Sequence, residues 1–181
     1  MRHVISWNEL AVVEPTPDEV EHVARALAAA YNDPRNASLL GHTAELHERD
    51  VLEHYANLRG HPFLLLQDSQ LAGDADLRGI EHGTAEFAFL IAAPSAQGKG
   101  LGTRFATMIH AFAFRHLALD RVYASVVPEN VASKRVFEKL GYALDETAAY
   151  GDEGDIVLRI DKPTFEHRHA AALAAIRIAV R

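Results

Sequence analysis

The chain has 181 residues, 49% of them apolar and 24% charged, with a formal net charge of −7; this is one globular domain with a full core, not a partner for nucleic acid, and compatible with a cationic substrate. It contains no cysteine, which excludes disulfides, a thiolate nucleophile, a thioester relay through the protein and a cysteine-type zinc site. No apolar run approaches the roughly 18 residues of a membrane span and the N-terminus lacks a signal-peptide pattern, so a cytoplasmic protein with no membrane partner is expected.

Residues 4–13 (VISWNELAVV) read as an opening strand. Thr16 and Glu19 form a capping box around Pro17, and Val20, Val23, Leu27 and Tyr31 continue as a helical stripe up to the breaker Asn32-Asp33-Pro34. A loop follows, and Thr43 opens a second helix with Leu46, Val51, Tyr55 and Leu58 inward. Phe63–Gln67 and Gln70–Leu77 read as a hairpin turning at Asp68-Ser69, with Gly83 separating them from a third strand. Further on, residues 121–127 (RVYASVV) are strand-like and Pro128 stops them. A short helix runs from Asn130 to about Leu140, and Tyr142–Thr147 and Asp155–Ile160 make a closing hairpin. Lys162–Arg181 is an appended segment in which Phe165, His169, Leu173, Ile176 and Val180 approximate a helical stripe. It is expected to dock on its own domain or on a twin subunit. The order of elements makes the chain α+β with a mixed sheet, organised as one domain over residues 1–161 and a helical extension over 162–181.

The most informative stretch is residues 86–102, EFAFLIAAPSAQGKGLG. In its strand, Phe87, Phe89 and Ile91 share one face and Glu86, Ala88 and Leu90 the other. After Pro94, the turn Gln97-Gly98-Lys99-Gly100-Leu101-Gly102 leads into a helix whose apolar face is Leu101, Phe105, Met108, Ile109 and Phe112. A glycine-rich turn at a helix N-terminus offers free amides to an anion, phosphate above all. A Walker loop is excluded because Lys99 is followed by Gly100, not a hydroxyl residue. A dinucleotide fingerprint is excluded by the spacing of Gly98, Gly100 and Gly102. A glycine-rich connection without a ligand, and a turn of the form Gln-x-x-Gly-x-Gly that holds a pyrophosphate, remain.

A second block follows: Asn130-Val-Ala-Ser133-Lys-Arg-Val-Phe137-Glu-Lys-Leu-Gly141-Tyr142. Together the two blocks resemble the GCN5-related N-acetyltransferase (GNAT) superfamily, most of all the branch that includes the ribosomal-protein N-terminal acetyltransferases. Some aminoglycoside acetyltransferases have a very similar glycine turn. The resemblance covers Glu86 to Tyr142. It implies a mostly antiparallel mixed sheet flanked by helices, with a splayed strand pair at the cofactor site and, for this chain, an extra C-terminal helix.

The same resemblance implies acetyl-CoA as cofactor. Gln97, Gly98, Lys99, Gly100, Leu101, Gly102 and Thr103 would hold its pyrophosphate, with Arg104 nearby. Leu90, Ile91 and Ala92 would pair with the pantetheine arm, and Asn130, Ser133 and Phe137 would flank it. Lys99 is equally readable as a solvated side chain, and Asn130 as an ordinary helix N-cap. The acceptor must be a neutral amine when it attacks the thioester. For a lysine-like amine neutralisation at pH 7 costs roughly 4–5 kcal/mol, for an α-amine roughly 1. Glu86 stands where histone-type members carry their general base; a solvated or ion-paired carboxylate is its other reading. Many members have a proton-donating tyrosine at the position of Phe137, which has no proton to give, so Ser133 is the expected acid, with Tyr142 behind it.

Direct transfer in a ternary complex to a small-molecule amine or a protein N-terminus is therefore expected. A non-catalytic acyl-CoA-binding module is the alternative, and a homodimer is open. Of the eleven histidines, His47 and His54 share a helical face but show no metal-binding spacing, and no metal is expected. Asp145, Glu146, Asp152, Glu153 and Asp155 in the closing hairpin are candidates to steer a cationic amine.

Overall fold

The computed structural model describes residues 2–40, 44–92, 98–147, 151 and 154–181. These build β1 (His3–Trp7), β2 (Leu10–Val13), α1 (Pro17–Asn32), α2 (Pro34–Leu40), α3 (Glu48–Asn57), β3 (Gly60–Gln67), β4 (Gln70–Glu81) and β5 (Thr84–Ile91). There follow α4 (Leu101–Arg115), β6 (Arg121–Val126), α5 (Val131–Leu140), β7 (Ala143–Leu144), β8 (Ile156–Asp161), α6 (Lys162–Arg168), α7 (Ala170–Ala175) and β9 (Arg177–Val180). The strands form one sheet in the order β7-β8-β6-β5-β4-β3-β2-β1-β9. Every neighbouring pair is antiparallel except β5 and β6, which are parallel and joined by the crossover helix α4.

Where both faces of the sheet are covered, as at β3, the strand is a continuous apolar run rather than an alternating one. In β3, Phe63 and Leu65 pack toward α4, while Leu64 packs toward α1 and α3. Helix α4 is the core helix. The stripe Leu101, Phe105, Met108, Ile109 and Phe112 is buried, and so are Ala106, His110, Ala111, Ala113 and Phe114 on its other sides. The C-terminal helices account for part of this second coat: Phe165 stacks near Phe114 at 5.2 Å, and Arg115 donates to the Leu173 carbonyl. His110 is fully buried and satisfied. Its Nδ1–H donates to the Ala106 carbonyl at 2.7 Å, so its Nε2 accepts from the Tyr142 hydroxyl at 2.6 Å. Burial lowers its pKa to about 4, which keeps the ring neutral.

Several local expectations need correcting. Residues 4–13 are two strands, not one, because Asn8 adopts φ 55° and turns the chain between Trp7 and Leu10. The stretch after Asp33 is helical: Pro34 starts α2, and Asp33 Oδ1 accepts from the amides of Arg35 and Asn36. The next helix begins at Glu48, with His47 as its cap and Asp50 reaching back to the His47 amide, and Thr43 lies outside the described residues. The tail is not one helix. It breaks at His169, and Ile176 is extended at ψ 135°, so Arg177–Val180 pairs antiparallel with β1 and becomes the sheet's last strand. Phe165, Leu173 and Ile176 are buried, as their stripe requires, while Val180 is exposed.

The capping box at Thr16 and Glu19 is formed, and the turn between β3 and β4 uses Asp68 and Ser69 at φ 49° and 62°. Gly73 controls the pairing of β4 with β5, because a Cβ there would stand 1.9 Å from the Leu90 carbonyl oxygen. Gly73→Ala is therefore expected to cost at least about 2 kcal/mol in urea unfolding, since backbone atoms must move to admit one methyl group.

Candidate active site

The β5–β6 register runs through Thr84–Arg121, Ala85–Val122 and Glu86–Tyr123 and ends there. Each strand keeps its outer neighbour well beyond that point: β4 follows β5 out to Gly73–Ile91, and β8 follows β6 out to Val126–Ile156. Held on the outside and released between, the two strands fork, with Glu86 on the last shared rung. Leu90, Ile91 and Ala92 lie along the β5 arm, the first two buried and Ala92 half-buried.

The glycine turn stands where this arm gives way to α4. Gly98 and Gly100 have φ 78° and 79°, and a Cβ on either would meet nothing within 4 Å, so the space in front of them is open. Gly100 is the N-cap of α4 and supplies no side-chain cap. The first intrahelical bond runs from the Arg104 amide to the Gly100 carbonyl at 3.1 Å, which leaves the amides of Leu101, Gly102 and Thr103 without a helical partner. Gly102 serves packing instead. A Cβ there would come within 3.3 Å of Phe89 and 3.4 Å of Val136, so α4 can approach β5 and α5 only without one. Lys99 is exposed. Arg104 is committed elsewhere, bonded to Glu9 and lying 5.2 Å from the Trp7 ring. Gln97 lies outside the described residues. Amides without a helical partner at a helix N-terminus beside a fork fit a diphosphate and an extended arm.

A cleft of about 790 Å³ runs from the fork toward α1 and α3. Its floor is β4, where the strand period of two places Asp74, Asp76 and Arg78 on one face and Ala75 and Leu77 on the other. Tyr31 from α1 and Tyr55 from α3 both donate their hydroxyls to Asp74, at 3.0 and 3.3 Å. Burial pushes the Asp74 carboxyl up against the pull of these hydrogen bonds, and the neighbouring Asp76 charge adds to it, so that it titrates at about 7. Asp76 is 8% exposed, and its Oδ1 is buried without a hydrogen-bond partner among the described residues; the nearest cation, Arg78 Nε, is 3.9 Å away. His54 Nε2 approaches Asp76 Oδ2 at 3.7 Å, and this contact raises the pKa of the ring. Glu86 takes the Arg78 guanidinium in a two-point contact, 2.8 and 3.1 Å, with its side chain about one-third exposed.

Helix α5 closes the far side. Asn130, Ser133 and Phe137 all line the cleft. The Asn130 side chain is spent within the fold: Oδ1 accepts from the Ser133 amide as an N-cap, and Nδ2 donates to the Leu39 carbonyl of α2. Phe137 is 3% exposed and meets Phe87, Phe89 and Tyr142 edge-on. Tyr142 is turned to His110 in the core. Of the three described acidic residues in the closing hairpin, only Asp155 lines the cleft, held by the Ser125 hydroxyl at 2.6 Å. Asp145 is occupied by Thr147 and Arg159, Glu146 is exposed, and Asp152 and Glu153 lie outside the described residues. Asp74 and Asp76 are cleft residues that no sequence motif marks. Their signal was the run Asp-Ala-Asp-Leu-Arg, a polar stripe on one face of an otherwise apolar strand.

Similarity to known proteins agrees with this architecture. Over 85 residues the chain is 35% identical to the spermidine N(1)-acetyltransferase of Escherichia coli K12, covering 46% of this chain and 45% of the relative. Over 77 residues it is 35% identical to the probable N-acetyltransferase YjcK of Bacillus subtilis, covering 41% and 42%. The matched stretches thus span less than half the length of these two relatives. Mycobacterium smegmatis RimJ, solved in complex with CoA-disulfide, has the same fold, with a TM-score of 0.71 over 97% of this chain and 96% of its own at 17% identity. The acetyltransferase (GNAT) domain model matches residues 10–143. With that match spanning most of the sequence, and with the forked strands and glycine turn in place, this chain belongs to the GNAT acetyltransferase family.

Proposed function

We propose that the chain transfers an acetyl group from acetyl-CoA to a primary amine of a cationic small molecule, by direct attack in a ternary complex. The observation that carries the choice of acceptor is Asp76 Oδ1, a buried atom with no hydrogen-bond donor among the described residues, in a cleft that also holds Asp74, Glu86 and Asp155. A buried carboxylate oxygen without a donor costs stability unless a ligand supplies one. An ammonium does so, and adds charge pairing. The E. coli relative is named for a polyamine, spermidine. An acceptor of that class has amino groups to spare: one can rest on Asp76 and Asp74 while another reaches the fork.

The turn residues Gly98, Lys99, Gly100, Leu101, Gly102 and Thr103 are assigned to the diphosphate, and Gln97 to the same group. Leu90, Ile91 and Ala92 are assigned to the pantetheine arm, with Asn130, Ser133 and Phe137 on its α5 flank. Acetyl-CoA, when bound, supplies an acyl group activated as a thioester. Glu86, on the last rung before the fork, takes the proton that the attacking amine must lose. Arg78 holds this carboxylate in place, and must yield one of its two contacts as the proton arrives; a half-exposed ion pair of this kind is worth no more than about 1 kcal/mol. Ser133 is half-buried on α5, its amide bonded to Asn130, and its hydroxyl is the assigned proton donor to the departing thiolate. Phe137 contributes a ring and no proton.

Release of free thiol from acetyl-CoA, followed with a panel of polyamines, aminoglycosides, amino acids and short peptides, tests this function. Turnover is expected with polycationic amines. Cofactor binding without thiol release for any amine would instead identify a non-catalytic module. Asp76→Asn should raise KM for a polyamine about tenfold or more while changing kcat little, because it removes anchoring rather than proton transfer. Glu86→Gln should lower kcat/KM at pH 7 by about 10²-fold or more. An unchanged rate with an alkyl amine would remove Glu86 as the base.

Asp74 makes a separate prediction about stability. Its folded pKa of about 7 lies above the ordinary aspartate value of 3.8, so the folded state holds the proton that the unfolded chain has already lost. Stability therefore falls as pH rises between these two values. Asp74→Asn carries no such penalty. Urea unfolding should show the variant gaining about 3 kcal/mol on the parent chain between pH 5 and pH 8.

A further inference from the structure

Three ligand-type side chains converge on the sheet face opposite the cleft. His3 lies on β1, Glu14 directly follows β2, and His61 is on β3. Register places them together: Val4 pairs with Val13, which sets His3 beside Glu14, and His61 pairs with Leu77, whose side chain belongs to the α4-side core. His3 Nδ1 lies 2.5 Å from Glu14 Oε2, and His61 Nδ1 contacts Glu14 Oε1. One nitrogen from each ring and a carboxylate oxygen all lie within 4.8 Å of one another. The three side chains are 14%, 16% and 25% exposed for His3, Glu14 and His61, buried enough to be held and open enough to be reached. Phe112 buttresses both rings, at 4.9 and 5.2 Å, and the His116 ring lies 4.5 Å from that of His3. No lysine or arginine pairs with Glu14 among the described residues; apart from the two rings, its recorded partner is the His3 amide.

We propose that His3, Glu14 and His61 bind a divalent transition-metal ion, with zinc as the ion that two imidazoles and one carboxylate match best. Calcium and magnesium prefer all-oxygen shells, whereas zinc takes nitrogen and carboxylate ligands at about 2.0–2.2 Å. Around a tetrahedral zinc such ligand atoms stand about 3.3 Å apart. The carboxylate has to draw back from the rings and the rings have to close, movements within the reach of side-chain rotation. The fourth position faces outward and takes water or an external ligand. The site lies beside the C-terminal turn of α4, about 22 Å along the helix from the glycine turn at 1.5 Å per residue. Register sets His61 opposite Leu77 and Leu77 opposite Phe87, while Glu86 meets Arg78 on the other sheet face, so the ion touches none of the groups assigned to acyl transfer. It ties three strands together under the core helix, and so acts on the stability of the scaffold.

The test uses tag-free protein stripped with a chelator, dialysed, and titrated with Zn²⁺ alone in a calorimeter and with Co²⁺ in a spectrophotometer. Expected are one ion per chain, visible Co²⁺ bands of tetrahedral intensity, and a melting temperature that rises with Zn²⁺. His3→Gln and His61→Gln should each weaken binding at least tenfold and leave thiol release from acetyl-CoA unchanged. X-ray absorption at the zinc edge of the parent protein should show two imidazoles, a readout that does not depend on the variants folding. No stoichiometric ion, an affinity unchanged in the double histidine variant, or an edge spectrum with fewer than two imidazoles would overturn the site. The carboxylate would then be a hydrogen-bond acceptor for the two rings and nothing more.

Discussion

The arrangement depends on a parallel strand pair that keeps only three rungs. β5 and β6 share Thr84 to Glu86 with Arg121 to Tyr123 and then part, while β4 and β8 hold their outer edges. A parallel pair needs a crossover, and α4 provides it. The helix is anchored to the sheet by almost its whole surface, including Phe105, Met108, Ile109 and Phe112. Its N-terminus and the mouth of the fork therefore sit in a fixed relation. Gly102 tightens that relation by letting the helix lie against Phe89 and Val136. The N-terminal amides of α4 are thus positioned by the packing of the helix.

The fold was legible where local chemistry and burial agreed. Thr16-Pro17-Asp18-Glu19 starts a helix by capping alone, and Asp68-Ser69 between two apolar runs makes a hairpin turn. The glycine turn and the Asn130 block were legible because their spacing follows from backbone requirements. The misplaced pieces were those decided at long range. Arg177–Val180 continues a helical stripe on paper, but the free edge of β1 offers a ladder that a helix end does not. The break at Asn8 depends on β2 folding back to pair with both β1 and β3. The two carboxylates on the cleft floor escaped notice for a related reason. Asp74 and Asp76 acquire meaning only when Tyr31, Tyr55 and His54 arrive from helices 19 to 43 residues away in sequence.

The same limit applies to His3, Glu14 and His61. Metal sites are legible in sequence when their ligands share a helix turn or a tight loop, and these three share only a sheet face. Strand register does here what i, i+4 spacing does on a helix. Both clusters lie on the sheet, on opposite faces, and the alternation of side chains along β1 to β4 keeps them apart. A change in one carboxylate set need not disturb the other, since the sheet itself lies between them, with Phe63, Leu65 and Leu77 on the face of the histidine cluster.

The cleft is acidic at its floor, and that charge is only partly answered by the protein. Arg78 is shared between Glu86 and, more distantly, Asp76, while Asp74 relieves its own burial by holding its proton near neutral pH and by accepting two tyrosine hydroxyls. A scaffold selected for stability alone would favour apolar side chains at these central-strand positions, because a half-compensated buried charge destabilises more than a methyl group would. The cost becomes intelligible if the missing counter-ion is the acceptor. An incoming ammonium satisfies Asp76 Oδ1, favours ionisation of Asp74, and competes with Arg78 for the carboxylates nearby. Each of these effects depends on positive charge in the ligand and on its reach from the floor to the fork. Selectivity for a polycation over a neutral amine of the same size then follows from the desolvation the fold has already borne.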